Sequence, residues 1–375
     1  MRDSIMKVSF GRVMALAVGP VLFLAVGVGS AAAQPASGSP PPPAGFEADS
    51  VSFVSAQTGF VLGARDCSRL PCTALLEKTT NGGKTWTAVP APAVSLVPPY
   101  TSPPKTAVST VRFANASDGW LFNPGLWQTT DGGRQWHQVS LPVAGMVVAV
   151  AASDGEAYAA VEPTAGGYDK AELYQSAVGG TWTLVKGVWP ANTITVSGHS
   201  AWVGIAPKIS TTANAGKTWT RLSFSCPRSA LASSGVAAAS PSDVAIACSD
   251  QGFPQPGSSI KEVYVSANGG KSFHEVGQPP NGGQVGELAM PPGDPQVLMM
   301  TAADGASWLY RSHNGGKTWQ QTEYFDGGLD FRDLAFASAT TGYVIHFSGG
   351  PVLAYGLGLL KTADAGSIWT TVTIH

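Results

Sequence analysis

The residues with most chemistry to offer crowd into one stretch. Glu323, Tyr324, Asp326, Asp330, Arg332 and Asp333 fall within eleven positions. Paired carboxylates on either side of a cleft hydrolyse glycosides, one as acid and one as base or nucleophile. Asp326, Asp330 and Asp333, with Asp66 and Glu287, are the carboxylates that could form such a pair. Other chemistries find less. The six histidines (137, 199, 274, 313, 346 and 375) are scattered along the chain. The four cysteines form no CxxC pair, so neither a zinc site nor any other metal centre is expected. No Gly-x-Ser-x-Gly nucleophile elbow occurs, and the Gly pairs belong to turns rather than to a phosphate loop. No catalytic residue and no cofactor is assigned. The acidic stretch reads as a binding surface, with Trp189 and Tyr100 as aromatic contributors.

The elements that must position these residues announce themselves as a repeat. Seven segments end in Trp or Phe: 79–86 (TTNGGKTW), 129–136 (TTDGGRQW), 175–182 (QSAVGGTW), 212–219 (TANAGKTW), 266–273 (SANGGKSF), 312–319 (SHNGGKTW) and 362–369 (TADAGSIW). The pattern is [ST]-x-[DN]-x-G-x-[TS]-[WF]. Its polar positions are Asn81, Asp131, Asn214, Asn268, Asn314 and Asp364. Its aromatics are Trp86, Trp136, Trp219, Phe273, Trp319 and Trp369. The third copy is degraded, with Gln175 and Ala177 at the two key polar positions. Successive aromatic ends are 37 to 54 residues apart, the length of one four-stranded propeller blade.

A second motif precedes each box: an apolar strand, a polar turn with Gly, and another apolar strand. It is clearest at 51–63, 111–122 and 334–345. Four strands repeated seven times predict an all-β, seven-bladed β-propeller of antiparallel blades over residues 47–375. Within each turn the Asp or Asn and the Ser or Thr accept backbone N–H bonds. The Gly supplies a positive φ, and the aromatic buries area between blades.

These motifs resemble the Asp-box (BNR) propellers. The pairing of an "sa-tGw" turn with a "TTDGGKTW" box most resembles the photosystem II stability/assembly factor type. Sortilin-type receptors, sialidases and xyloglucanases carry similar boxes. The resemblance implies the propeller fold for nearly all of the chain after its leader, and for the assembly-factor type a scaffold for other proteins. Sialidases add an Arg-Ile-Pro segment and have six blades; this chain has no Arg-Ile-Pro and seven repeats. Xyloglucanases use two propellers, and one fits here.

Propeller topology puts the boxes on one face and the b–c loops and d–a links on the other. The long irregular segments fall on that second face, among them 91–109, 186–192 and 323–333. Loops on a rigid scaffold are where binding usually resides. Cys226 and Cys248 also map there, as do Cys67 and Cys72, so two disulfides are expected.

Residues 1–33 read as a signal peptide: Arg2, Lys7 and Arg12 precede an apolar run, and Ala31, Ala32 and Ala33 offer a cleavage site. Residues 34–46 read as a Pro/Ser-rich leader. The expected product is secreted or held in the cell envelope, without a membrane span after cleavage, and monomeric. From Gln34 onward the chain holds 19 basic and 23 acidic residues, with no basic stripe for nucleic acid. The function expected is a non-catalytic scaffold that binds a protein, glycan or envelope partner through the face opposite the boxes. A secreted glycoside hydrolase, sialidase- or xyloglucanase-like, is the alternative.

Overall fold

The computed structural model describes residues 45–374 except 66–70, 98–104, 165–169, 206, 223, 225, 227–232, 251–257, 327 and 350–353. At 233–234, 328–330, 347–349 and 354–357 it describes the backbone alone. Residues 1–44, including the expected signal peptide, therefore lie outside it, as do Asp66, Cys67 and Tyr100.

Each repeat folds into one antiparallel sheet of four strands, and seven such sheets form the propeller. The first strands surround the axis: Phe46–Phe53, Thr110–Phe113, Gly145–Ser153, Thr193–Ser197, Ser233–Ala238, Gln284–Ala289 and Gly328–Phe336. The fourth strands form the rim. Every blade takes its four strands from its own stretch of chain, so among the described residues no strand passes between the first and last blades. A short ribbon, Cys72–Thr73 with Ser95–Leu96, ties the b–c loop of blade 1 to the link that leaves it. Cys226 and Cys248 are bonded as expected, with Cα atoms 6.0 Å apart. Cys72 is disulfide-bonded too, but the expected partner Cys67 is outside the described residues.

The signature turns are held from within. In blade 1 the N–H of Thr85 donates to Asn81 Oδ1 (2.9 Å) and that of Gly83 to Thr79 Oγ1 (3.0 Å). The same bonds recur at Asp131, Asn214, Asn268, Asn314 and Asp364. N–H groups of Gln135 and Arg134 hold the Asp131 carboxyl below its usual range. Each turn is also bound to the a–b turn of its own blade. Gly82 N donates to Gln57 O at 2.8 Å, and Gly132, Val178, Ala215, Gly269, Gly315 and Ala365 make the equivalent bond. The two sequence motifs are thus one hydrogen-bonded unit.

The third copy needs a correction. Thr79 pairs with Gly59 and Thr129 with Gly119, and at the same place in blade 3 Ser176 pairs with Ala157. The Ser/Thr position is therefore Ser176, not Gln175, and this turn is one residue shorter. Trp182 follows Ser176 by six residues, whereas Trp86 follows Thr79 by seven. With no Asn or Asp, the turn closes through Gly180 N to Ala177 O (2.8 Å).

Aromatic rings join blade to blade. Phe113 of blade 2 stacks on Phe60 of blade 1 at 3.5 Å, and Trp136 meets Phe113 edge-on at 6.2 Å. Across the seam between blades 7 and 1, Phe53 stacks on Tyr343 at 3.5 Å and Trp86 meets Phe53 edge-on at 6.2 Å. The Gly of the "tGw" turn makes room for this. A Cβ on Gly119 would stand 2.5 Å from the Phe113 ring, and one on Gly59 2.4 Å from Phe53. Hydrogen bonds add to the joints. Trp202 Nε1 reaches Gly269 O (3.1 Å), Arg311 Nε reaches Ala365 O (2.7 Å), and Lys361 Nζ reaches Gly82 O (2.6 Å). In each case a signature turn offers its carbonyl to the blade before it.

Because the side-chain oxygen holds the turn, Asn81→Ala is expected to lower stability by about 1–2 kcal/mol. Asn81→Asp keeps that oxygen, as Asp131 shows, and is expected to stay within about 1 kcal/mol of wild type. Urea denaturation followed by tryptophan fluorescence measures both.

Candidate functional site

The seven first strands enclose an axial cavity of about 590 Å³. Its wall is uneven. Blades 3 to 5 present small and apolar groups, among them Val148, Val150, Ile194 and Val236. Blades 2, 6 and 7 present Arg112, Glu287, Arg332 and Asp333.

Irregularities in three inner strands place carboxylates beside Arg112, which itself stands on a regular strand. The ladder of blade 1 shifts between Ala48 and Ser50, that of blade 6 between Val285 and Leu288, and that of blade 7 between Arg332 and Ala335. A bulge re-aims the side chains at it. Here the bulges carry Asp49, Glu287 and Asp333. Asp333 also has φ +56°, a left-handed conformation that Asp adopts more readily than most residues.

Asp333 is the hub. Its Oδ2 accepts from Ser50 Oγ (2.5 Å) and Val51 N (2.9 Å) of blade 1. Its Oδ1 accepts from Arg112 Nη2 of blade 2 at 2.5 Å. Its own N–H donates to Glu287 Oε1 of blade 6 (3.1 Å), and Leu334 N donates to Glu287 Oε2 (2.7 Å). Ser50 Oγ also accepts from Val111 N at 3.0 Å. Asp333 thus joins its own blade to blades 1 and 2 through its carboxylate and to blade 6 through its N–H. Burial disfavours the Arg112 charge, but Asp333 beside it, helped by Glu287, outweighs burial and raises its pKa. Burial pushes the Asp49 carboxyl up to about 7; Arg332 opposes this and Asp333 adds to it.

The candidate residues separate. Glu323, Tyr324 and Asp326 stand on the rim strand Gln320–Asp326, while Asp330, Arg332 and Asp333 stand on the axial strand Gly328–Phe336. The expected loop from Glu323 to Asp333 is therefore two strands at opposite edges of neighbouring sheets. The cause is packing: Phe325 and Phe331 both lie against His346, at 3.7 and 5.1 Å. Trp189 sits in the link between blades 3 and 4, under the Arg221 guanidinium at 4.2 Å. Sequence reasoning missed Asp49 and Ser50 and gave Arg112 no role. The only local signal was the broken alternation at the bulges.

Chemically, the cavity holds two converging carboxylates, Glu287 and Asp333, and all four of their oxygens accept hydrogen bonds from the protein. That arrangement fixes backbone; a glycosidase acid instead needs a carboxyl poised to donate its proton. Among the described residues, no group of three or more His, Cys, Asp or Glu could hold a metal ion. Nor is any helix there long and apolar enough to cross a membrane.

No protein-family model matches the chain, and no curated protein matches it. Solved structures do. The structure of YCF48 bound to D1 peptide is 19% identical, with a TM-score of 0.54 over 86% of this chain and 95% of that one. YCF48 from Cyanidioschyzon merolae is 16% identical, with a TM-score of 0.55 over 86% and 97%. An ancestral GH74 enzyme is 13% identical, with a TM-score of 0.52, and the chain spans 88% of itself but only 55% of that enzyme. At these identities the likeness is one of fold.

Breaking a buried charge pair by removing one partner typically costs about 3–5 kcal/mol. Asp333→Asn is expected to fall in that range in urea unfolding, with Ser50→Ala nearer 1 kcal/mol.

Two buried groups oppose each other in acid. Asp49 holds its proton up to about 7 when folded, against 3.8 ordinarily, so its contribution is full below about 4 and is lost as pH rises to 7. Burial lowers His346 from 6.5 to about 4, so its contribution is full above 6.5 and is lost as pH falls towards 4. Asp49→Asn removes the first slope. Its stability is expected to rise between pH 4 and 6.5 more steeply than that of wild type, as read by thermal unfolding across that range.

Proposed function

We propose that this is an exported, non-catalytic Asp-box propeller that binds a protein or cell-envelope partner through the face opposite its signature turns. The observation that carries the reading is that the converging carboxylates Glu287 and Asp333 are fully engaged in joining blades. The polar groups of the signature turns are engaged in the same way, with their own backbone and with the preceding blade. What remains for recognition is the set of links and loops on the other face. Export is supported by the Cys226–Cys248 bond, which persists in oxidising compartments, and by the leader-like residues 1–33. Partner binding is supported by the similar fold of YCF48, whose structure is bound to a D1 peptide.

Two measurements test the reading. A panel of glycan substrates is expected to show no turnover; turnover abolished by Asp333→Asn in a variant that still folds would sink the proposal. A photo-crosslinking residue at exposed Lys105, in the link leaving blade 1 and beside Gly125 of the b–c loop of blade 2, is expected to capture a partner from envelope fractions. The same probe at exposed Lys84, in the first signature turn, is expected to capture none, and the reverse pattern contradicts the assigned face.

A further inference from the structure

The rim holds one strand unlike the others. Gln320–Asp326 runs for seven residues, whereas the other six fourth strands run for two to four. On its inner side it pairs with Ala306–Ser312, regularly from Leu309↔Glu323 to Ala306↔Asp326. Among the described residues, no other backbone hydrogen bond reaches it. A long unpaired edge offers a row of N–H and C=O groups to any extended chain, and proteins usually blunt such edges with Lys, Pro or brevity. This strand reads QQTEYFD, without Lys, Arg or Pro.

Its side chains say what would add to it. Tyr324 is 47% exposed and leans on Trp308, with ring centres 5.7 Å apart. Asp326 is on the same face two residues on, its Oδ1 3.4 Å from the Tyr324 hydroxyl. Together they present an aromatic face beside a carboxylate, which suits a guanidinium or ammonium group. Glu323 adds a second carboxylate on the opposite face of the strand. An antiparallel second copy of this edge centred on Glu323, the register that pairs the full strand, would set the two Glu323 carboxylates against each other, which disfavours self-pairing.

We propose that the rim strand of blade 6 is a docking edge where a partner protein adds an extended basic segment as a fifth strand. Backbone bonds along residues 320–326 supply affinity, and a Lys or Arg of the segment lies over Tyr324 and against Asp326. This edge is distinct from the face proposed above, so either can fail without the other.

The test uses fluorescence anisotropy with labelled, end-blocked octapeptides. One alternates Lys and Val, a second is its analogue N-methylated at alternate residues, and a third alternates Glu and Val. The Lys–Val peptide is expected to bind about tenfold or more tightly than either other peptide, a difference of about 1.4 kcal/mol. The double variant Tyr324→Ser/Asp326→Asn, at two exposed positions, is expected to lose a similar factor while its urea midpoint stays unchanged. Four results would overturn the proposal: no binding of the Lys–Val peptide, equal binding of the N-methylated peptide, undiminished binding to the folded variant, or a self-associated wild type whose dimer that variant dissolves.

Discussion

Where the first and last sheets share no strand among the described residues, side chains close the ring, and the contact that does so here centres on Asp333. Its carboxylate binds the backbone and hydroxyl of blade 1 and the guanidinium of blade 2. Its own N–H and that of Leu334 bind Glu287 of blade 6. Such a carboxylate is costly to bury unless every oxygen has a partner, and here the bulged strand of blade 1 and Arg112 of blade 2 provide them. Around it, the apolar cluster of Val51, Val61, Tyr343, Ile345 and Leu359 seals the seam, with Phe53 stacked on Tyr343.

The rest of the ring follows one mechanical scheme. A turn stiffened by its own Asx bonds fixes the exit of the third strand and anchors the a–b turn beside it. The tryptophan after it steers the inner-strand Phe onto the neighbouring blade. Most of the conspicuous polar residues are therefore structural. In the function proposed above, recognition falls to surfaces that the repeat does not specify; the same fold is seen in a peptide-bound YCF48 structure and in a GH74 enzyme.

What could be read in advance was local. The spacing of Trp86, Trp136, Trp219 and their equivalents gave blade number and length, because turn chemistry and aromatic anchoring act within a few residues. The third turn was misaligned by one position because a deletion beside Ser176 leaves a Gly-rich string that still fits the pattern; only strand pairing shows the true register. The stretch from Glu323 to Asp333 looked like a loop because of its charge. It folds as strands because Phe325 crosses the blade boundary to stack on His346, which Phe331 faces within its own sheet. The partnership of Arg112 with Asp333 spans 221 positions and leaves no local trace.

Hydrogen exchange on Asp333→Asn, compared with wild type under native conditions, addresses seam closure directly. Protection should fall in the inner strands Phe46–Phe53, Thr110–Phe113 and Gly328–Phe336, while Thr193–Ser197 across the axis keeps its wild-type rate. Unchanged exchange at the seam, or an equal rise in all seven inner strands, would show that Asp333 does not hold the ring closed.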